Sequence, residues 1–219
     1  MQGLVILTGA GRGFCAGLDL KDWGTPPAPG GHRHMPVGVD AQGFMSNLVV
    51  HLRDTPQVVI AAVNGPAYGG GLALACAADL RLAAPTATFC SAFIRTGLSG
   101  TDIGITYLLP RLIGNARAFD LILTGRQIDA AEALQMGIVS KVADDDGLDD
   151  LTLEYARVMA AYTASGLRST KEVLWHNVEA PNLTTALALE IRNQNLVQHA
   201  PDVQAHLAGY RQATTGGGS

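Results

Sequence analysis

Charge is scarce in this chain. Of its 219 residues only 16% are Asp, Glu, Lys or Arg, and the net charge is −4. The basic residues form no cluster, so the electrostatic footprint of a nucleic-acid binder is missing. No apolar run approaches the roughly 20 residues that a helix needs to cross a bilayer. The N-terminus lacks the basic-then-apolar order of a secretory signal. Cysteine is also sparse: Cys15, Cys76 and Cys90 cannot all pair with one another and show no zinc-type spacing. These absences predict a cytoplasmic protein with reduced thiols and no membrane span. His32 and His34 share a loop that offers no third ligand, so they read as a solvent-facing pair and no metal is expected. What the chain does have is 47% hydrophobic residues, enough for a sizeable core.

The apolar pattern predicts an α/β protein. Leu4 to Gly9 reads as a buried strand because its apolar residues do not alternate. Thr25 to Pro36, rich in Pro, Gly and His, reads as a loop. Phe44, Leu48 and Leu52 form one stripe of a helix over 40–54. Val58 to Val63 is a second buried strand, and 69–78 a helix apolar all round. Short strands are expected at 80–84, 86–90 and 137–142, with helices over 115–123 and 129–136. Asp129 with Glu132 three residues on marks the start of the latter. Beyond about Gly147 no strand appears; Leu148, Leu151, Tyr155, Val158 and Met159 form one helical face, and Leu183, Leu187 and Ile191 another. The expected organisation is an α/β core over 1–146, a helical region over 147–213 and a flexible tail over 214–219.

Two glycine-rich segments carry the chemistry. Gly11-Arg12-Gly13-Phe14-Cys15-Ala16 fits a dinucleotide fingerprint after a strand, but Trp23-Gly24-Thr25-Pro26-Pro27 interrupts the long helix that such a site needs. The second segment, Asn64-Gly65-Pro66-Ala67-Tyr68-Gly69-Gly70-Gly71, leads from a strand into a buried helix. The first N–H groups of a helix have no internal partner and sit at the positive end of its dipole. Glycine lets a ligand come close to them. Such an N–H suits an oxygen that gains negative charge during a reaction, and a second donor from Ala16-Gly17-Leu18 would complete a pair.

At these residues the chain resembles the enoyl-CoA hydratase/isomerase, or crotonase, superfamily. The likeness runs through Phe14-Cys15-Ala16-Gly17-Leu18-Asp19-Leu20-Lys21, the Asn64–Gly71 segment and Leu109-Pro110-Arg111-Leu112-Ile113-Gly114. It continues through Ala118 to Gly125, Ala130 to Ala133 with Gly137 to Val139, and Thr170-Lys171. The resemblance implies a spiral of ββα turns with a C-terminal helical region, assembled as a homotrimer or a dimer of trimers. It implies an acyl-CoA thioester as ligand, with coenzyme A part of the substrate and no other cofactor. The oxyanion donors it implies are the N–H groups of Leu18 and Gly70. Ala16, Asp19, Leu20 and Lys21 fall where the family packs the adenine and pantetheine end of coenzyme A, Tyr68 is a candidate contact of the acyl group, and Gly17, Gly69, Phe93 and Leu98 are further substrate-binding candidates. Lys21 is equally an ordinary surface lysine, and Tyr68 equally a packing residue. Family members also carry strands before the one that Leu4–Gly9 resembles, so an incomplete spiral with an exposed edge at Leu4–Leu7 is expected.

The hydratases that the chain resembles use two glutamates, and here Ala73 and Phe93 occupy those positions. Neither can move a proton, a loss that costs about 10²–10⁴-fold each. Asp102 is the substitute, because the dienoyl-CoA isomerase branch has an aspartate similarly placed before Leu109-Pro110. Burial beside Phe93 and Leu98 would raise its pKa, and Arg95 could instead hold it ionised. Its other reading is an N-cap for a helix starting near Ile103. Cys15 has no histidine to activate it and reads as a structural thiol. The function expected is enoyl-CoA hydratase/isomerase-like lyase or isomerase chemistry. The alternatives are a catalytically silent acyl-CoA-binding protein and a thioester hydrolase on the same site.

Overall fold

A computed structural model describes residues 3–19, 39–97 and 99–215. It divides into two compact units. The larger holds residues 6–53 and 59–152, and the smaller holds 1–5, 54–58 and 153–219. The expected boundary at 146/147 thus falls six residues earlier than the division at Thr152, which lies within a helix.

In the larger unit the chain runs through β1 (Val5–Thr8), α1 (Val39–Asp54), β2 (Val59–Val63), β3 (Ala67–Tyr68), α2 (Gly70–Ala77), β4 (Leu80–Ala83) and β5 (Thr88–Cys90). A 3₁₀ turn over Ala92–Thr96 leads to α3 (Ile105–Ile113), α4 (Asn115–Thr124), β6 (Gln127–Asp129), α5 (Ala130–Met136) and β7 (Lys141–Val142). One sheet has the order β1-β2-β4-β7 and the other β3-β5-β6. The first strand of each turn therefore joins one sheet and the second strand the other, before a helix closes the turn. This is the ββα spiral. β2 and β4 pair in parallel with Ile60 beside Leu80, and β3 and β5 with Ala67 beside Phe89. In the first turn the second strand shrinks to a single parallel bridge from Cys15 to Ala67.

The core is apolar and dense. β2 is buried at all five positions, as a strand covered on both faces must be. α2 is buried on nearly every side, which its Gly-Gly-Leu-Ala-Leu-Ala-Cys-Ala sequence permits. One charge is enclosed with it. The Arg81 guanidinium donates from Nε to Ile138 O at 2.7 Å and from Nη1 to Ala78 O at 2.6 Å. These bonds supply acceptors to a guanidinium that is itself buried. Burial holds the Arg81 pKa below its usual range and pushes the neighbouring Cys76 thiol up to about 11, with Arg81 opposing part of that rise.

Several expectations need correction. β1 is not buried: Val5 and Ile6 are 38% and 40% exposed, because among the described residues β1 is the outer strand of its sheet, with β2 beside it. In α1 the packed stripe is Met45, Val49 and Leu52, while Phe44 points out at 47% exposure. The strand expected over 137–142 is only β7. Gly137 instead caps α5 at φ 90°, and Ile138 and Val139 are buried as a turn. Asp129 does cap α5, its side chain accepting the Glu132 N–H at 2.8 Å.

The smaller unit carries most of α6 (Leu148–Ala160), then α7 (Ala164–Asn177), α8 (Leu183–Val197) and α9 (Pro201–Thr215). Thr163 and Asn182 cap α7 and α8 by accepting the N–H groups of Gly166 and Thr185. α9 runs through Thr215, so the first two residues of the expected tail are helical, and 216–219 lie outside the described residues. Among the described residues no helix is long and apolar enough to cross a membrane.

Candidate active site

The spiral stacks the second strand of its first turn on that of its second. The N–H groups of Phe14 and Cys15 both donate to Pro66 O, at 3.1 and 3.0 Å, and the Tyr68 N–H donates to Cys15 O at 2.9 Å. This brings the two glycine segments together. A Cβ added to Gly17, whose φ is +88°, would lie 3.5 Å from Gly70 N and 3.0 Å from Tyr68 O. A Cβ on Gly71 would fall 2.0 Å from Cys15 O, and one on Gly65 2.2 Å from Arg12 O. Only glycine permits this approach of backbone to backbone. Gly69 precedes α2 with φ 52° and ψ −115°, a conformation essentially reserved for glycine.

The result is a turn, Ala16-Gly17-Leu18, set against the first residue of α2. Gly70 begins the helix, so its N–H has no intrahelical acceptor. Leu18 is 40% exposed, and Ala16, Gly17 and Asp19 are exposed with it. Gly69 and Gly70 are buried. Leu20, Lys21 and Leu98 of the expected site, and His32 and His34, lie outside the described residues.

Asn64 fixes the loop before that turn. Its Nδ2 donates to Gly9 O at 3.1 Å and Gly11 O at 2.9 Å, and its Oδ1 accepts the Gly9 N–H at 3.0 Å. Asparagine at a strand end among glycines is the one local signal for such a clamp.

Ala73 is fully buried in α2. The Phe93 ring packs on Gly69, its nearest atoms 3.6–3.9 Å from where a Cβ would stand. Asp102 is partly buried. It does not cap the next helix: α3 begins at Ile105 with Gly104 as its N-cap. Its Oδ1 instead accepts the N–H of Ile103 at 2.7 Å, and its carbonyl accepts the N–H of Ile105 at 3.0 Å. Ile103 is buried, adopts φ +48° and places Cδ1 3.2 Å from the Cβ position of Gly70. The sequence gives no sign of that conformation, which a β-branched residue rarely adopts.

Other candidates have settled partners. The Tyr68 hydroxyl bonds to Thr88 Oγ1 at 3.0 Å and Gln127 Oε1 at 2.8 Å. Arg95 lies against Gly125 and near the Cys90 thiol, which donates to Gly125 O at 3.1 Å. Cys15, Cys76 and Cys90 are all free thiols. Among the described residues no group of three His, Cys, Asp or Glu is placed to hold a metal ion. A pocket of about 270 Å³ in the smaller unit, among Leu4, Pro56, Val58, Met159, Tyr162 and Arg168, holds none of the site residues.

A ββα spiral with a helix N-terminus facing a glycine turn defines a crotonase-type fold. Known proteins agree. A profile described as enoyl-CoA hydratase/isomerase matches residues 2–214. A probable enoyl-CoA hydratase of Mycobacterium leprae is 44% identical over 180 residues, 82% of this chain and 61% of that protein. This chain thus spans less than two thirds of that relative's length. The 1,2-epoxyphenylacetyl-CoA isomerase of Escherichia coli is 39% identical over 209 residues, 94% of this chain and 77% of that protein. The crystal structure of an enoyl-CoA hydratase from Bacillus anthracis superposes with a TM-score of 0.85 at 33% identity, covering 96% of this chain and 78% of that one. This chain belongs to the enoyl-CoA hydratase/isomerase family.

Proposed function

We propose that this protein binds an acyl-CoA thioester and isomerises it through an enolate. The thioester oxygen takes the N–H groups of Leu18 and Gly70, and Asp102 moves the proton. The observation that carries this reading is the 3.5 Å approach of the Gly17 Cβ position to Gly70 N, which sets the Leu18 turn beside the first residue of α2. Two backbone donors on one oxygen stabilise the negative charge that develops there, and removing one typically costs ~3–4 kcal/mol of transition-state stabilisation.

Isomerisation fits better than hydration. Water addition needs one group to activate water and another to protonate the α-carbon. Ala73 and Phe93 supply neither. A double-bond shift needs one carboxylate, which takes a proton from one carbon and returns it to another, with no net gain or loss of atoms. Asp102, with one oxygen engaged by Ile103, is the acid–base group that this reading assigns. Coenzyme A enters as part of the substrate, and the reading requires no further cofactor.

A second reading, a silent acyl-CoA binder, draws on one observation: the Phe93 ring covers Gly69 where a glutamate would work in a hydratase. A thioester hydrolase on the same site remains the third outcome to test. The apolar faces of α7 to α9 are proposed to pack against further copies of the chain, as a trimer or dimer of trimers. The three free thiols fit a cytoplasmic setting.

The test is a panel of 2-enoyl-, 3-enoyl-, dienoyl- and 3-hydroxyacyl-CoA thioesters, run on wild type and Asp102→Asn. Double-bond migration without water addition, reduced about 10²–10⁴-fold in Asp102→Asn, is the expected result. Full activity in Asp102→Asn removes the aspartate from the reaction. Binding of thioesters with no turnover selects the silent binder, and release of free coenzyme A selects hydrolysis.

A further inference from the structure

We infer that Ile103 sets the acyl selectivity of this site, admitting thioesters that are unbranched at the α-carbon and rejecting α-branched ones. The inference rests on the acyl-CoA reading above and goes beyond it by naming the substrate class.

Ile103 holds a φ of +48°, which L side chains avoid, and does so while buried. Such a conformation persists only where its surroundings over-determine it, and it collects at functional sites. Here Asp102 Oδ1 takes the Ile103 N–H at 2.7 Å, and Gly104 follows with φ +77°. The consequence is where the side chain goes. Ile103 Cδ1 lies 3.2 Å from the Cβ position of Gly70, and Gly17 Cα lies 4.0 Å from the same point. The methyl group and the glycine turn thus flank one helix residue, the residue assigned as an oxyanion donor. The Phe93 ring closes the adjacent position at Gly69.

A thioester oxygen bonded to Gly70 N stands about 2.9 Å from it. The α-carbon is two bonds from that oxygen, so its substituents enter the few ångströms beside Gly70 that Ile103 Cδ1 already borders. An α-hydrogen fits against that methyl. An α-methyl group meets it, and a filled apolar wall does not yield to an added carbon without strain. Ile103 is also a member of the apolar core, so a purely structural role predicts that trimming it changes stability and leaves selectivity alone.

Saturated thioesters separate these cases, since they lack the double bond that the proposed isomerisation moves. Affinities of butyryl-CoA and isobutyryl-CoA are measured calorimetrically on wild type, Ile103→Val and Ile103→Gly, with a melting curve for each. Ile103→Val removes only Cδ1, and Ile103→Gly also relieves the backbone conformation. The expected result is at least ~10-fold preference of wild type for butyryl-CoA, a common scale for one carbon in an apolar pocket. That preference falls to about threefold or less in Ile103→Val and vanishes in Ile103→Gly. Equal affinity of wild type for both thioesters overturns the inference alone, as does a preference that survives in both folded variants. Failure of wild type to bind either thioester overturns the acyl-CoA reading and this inference with it.

Discussion

The spiral core and the C-terminal helices bury opposite kinds of residue. In the core most buried side chains are apolar, such as Val59, Ile60, Leu72 and Phe89, with Arg81, Ser91 and Thr152 as polar exceptions. In α7 and α8 the buried side chains are Lys171 and Asn193, while Leu174, Val178, Leu183 and Ile191 are each more than 60% exposed. Lys171 is held by donating to Gln57 O at 2.8 Å, within the smaller unit. The core satisfies its apolar surface within one chain. The C-terminal helices do not, and the trimer proposed above would use those exposed side chains. The larger unit thus encloses an apolar core, whereas the smaller one leaves large apolar side chains of its helices exposed.

Glycine substitutions break this comparison most sharply. Gly71→Ala forces a Cβ to within 2.0 Å of Cys15 O, where backbone meets backbone. The expected outcome is loss of soluble, cooperatively melting protein. Gly209→Ala in α9 meets nothing within 4 Å and should raise stability by about 0.5–1 kcal/mol through helix propensity. Thermal melts of the two variants check both signs, and a stable Gly71→Ala protein would contradict the contact between the two segments.

Truncating apolar side chains is the next contrast. Leu72→Ala, in α2 and 1% exposed, should cost about 2–5 kcal/mol at any protein concentration. Ile191→Ala, at 61% exposure, should change the stability of the isolated chain by no more than about 0.5 kcal/mol. Its effect should appear instead in how the melting temperature depends on protein concentration, because self-association stabilises by mass action. Sedimentation of wild type and Ile191→Ala over a concentration series measures that shift. A monomer at every concentration rules out the proposed trimer.

The same contrast explains what the sequence disclosed. The two glycine segments were legible because close backbone approach is a local demand that only glycine meets, at Gly65 and Gly71 alike. β1 was misjudged because a continuous apolar run is common to buried and outer strands, and the neighbours that decide between them are distant in sequence. The α1 stripe was misplaced by one residue, since Phe44 and Met45 begin two overlapping apolar faces and tertiary packing selects one. Ile103 was not legible at all. Its local preference is for β or helical backbone, and Asp102 together with the packing around Gly70 overrides it.

The last contrast is in pH dependence, where the two units should weaken at opposite ends of the scale. Burial pushes the Cys76 thiol from 9.0 up to about 11. Between those values the unfolded chain loses a proton that the folded core keeps, so unfolding becomes easier as pH rises. The contribution is complete below pH 9 and is lost on passing about 11, a change of about 2–3 kcal/mol at roughly 1.4 kcal/mol per pH unit. Asp202, in the smaller unit, has its pKa lowered from 3.8, first by the Ser165 N–H that donates to its Oδ2 at 2.9 Å. Its contribution is present above pH 3.8 and is lost as pH falls through the lower folded value. Because Asp202 is only partly buried, solvent screening keeps that effect the smaller of the two. Urea unfolding of wild type, Cys76→Ala and Asp202→Asn across the pH range separates them. The Cys76→Ala curve should converge on wild type only on the alkaline side, and the Asp202→Asn curve only on the acid side. Curves that stay parallel to wild type throughout would mean that neither group is coupled to folding as its surroundings require.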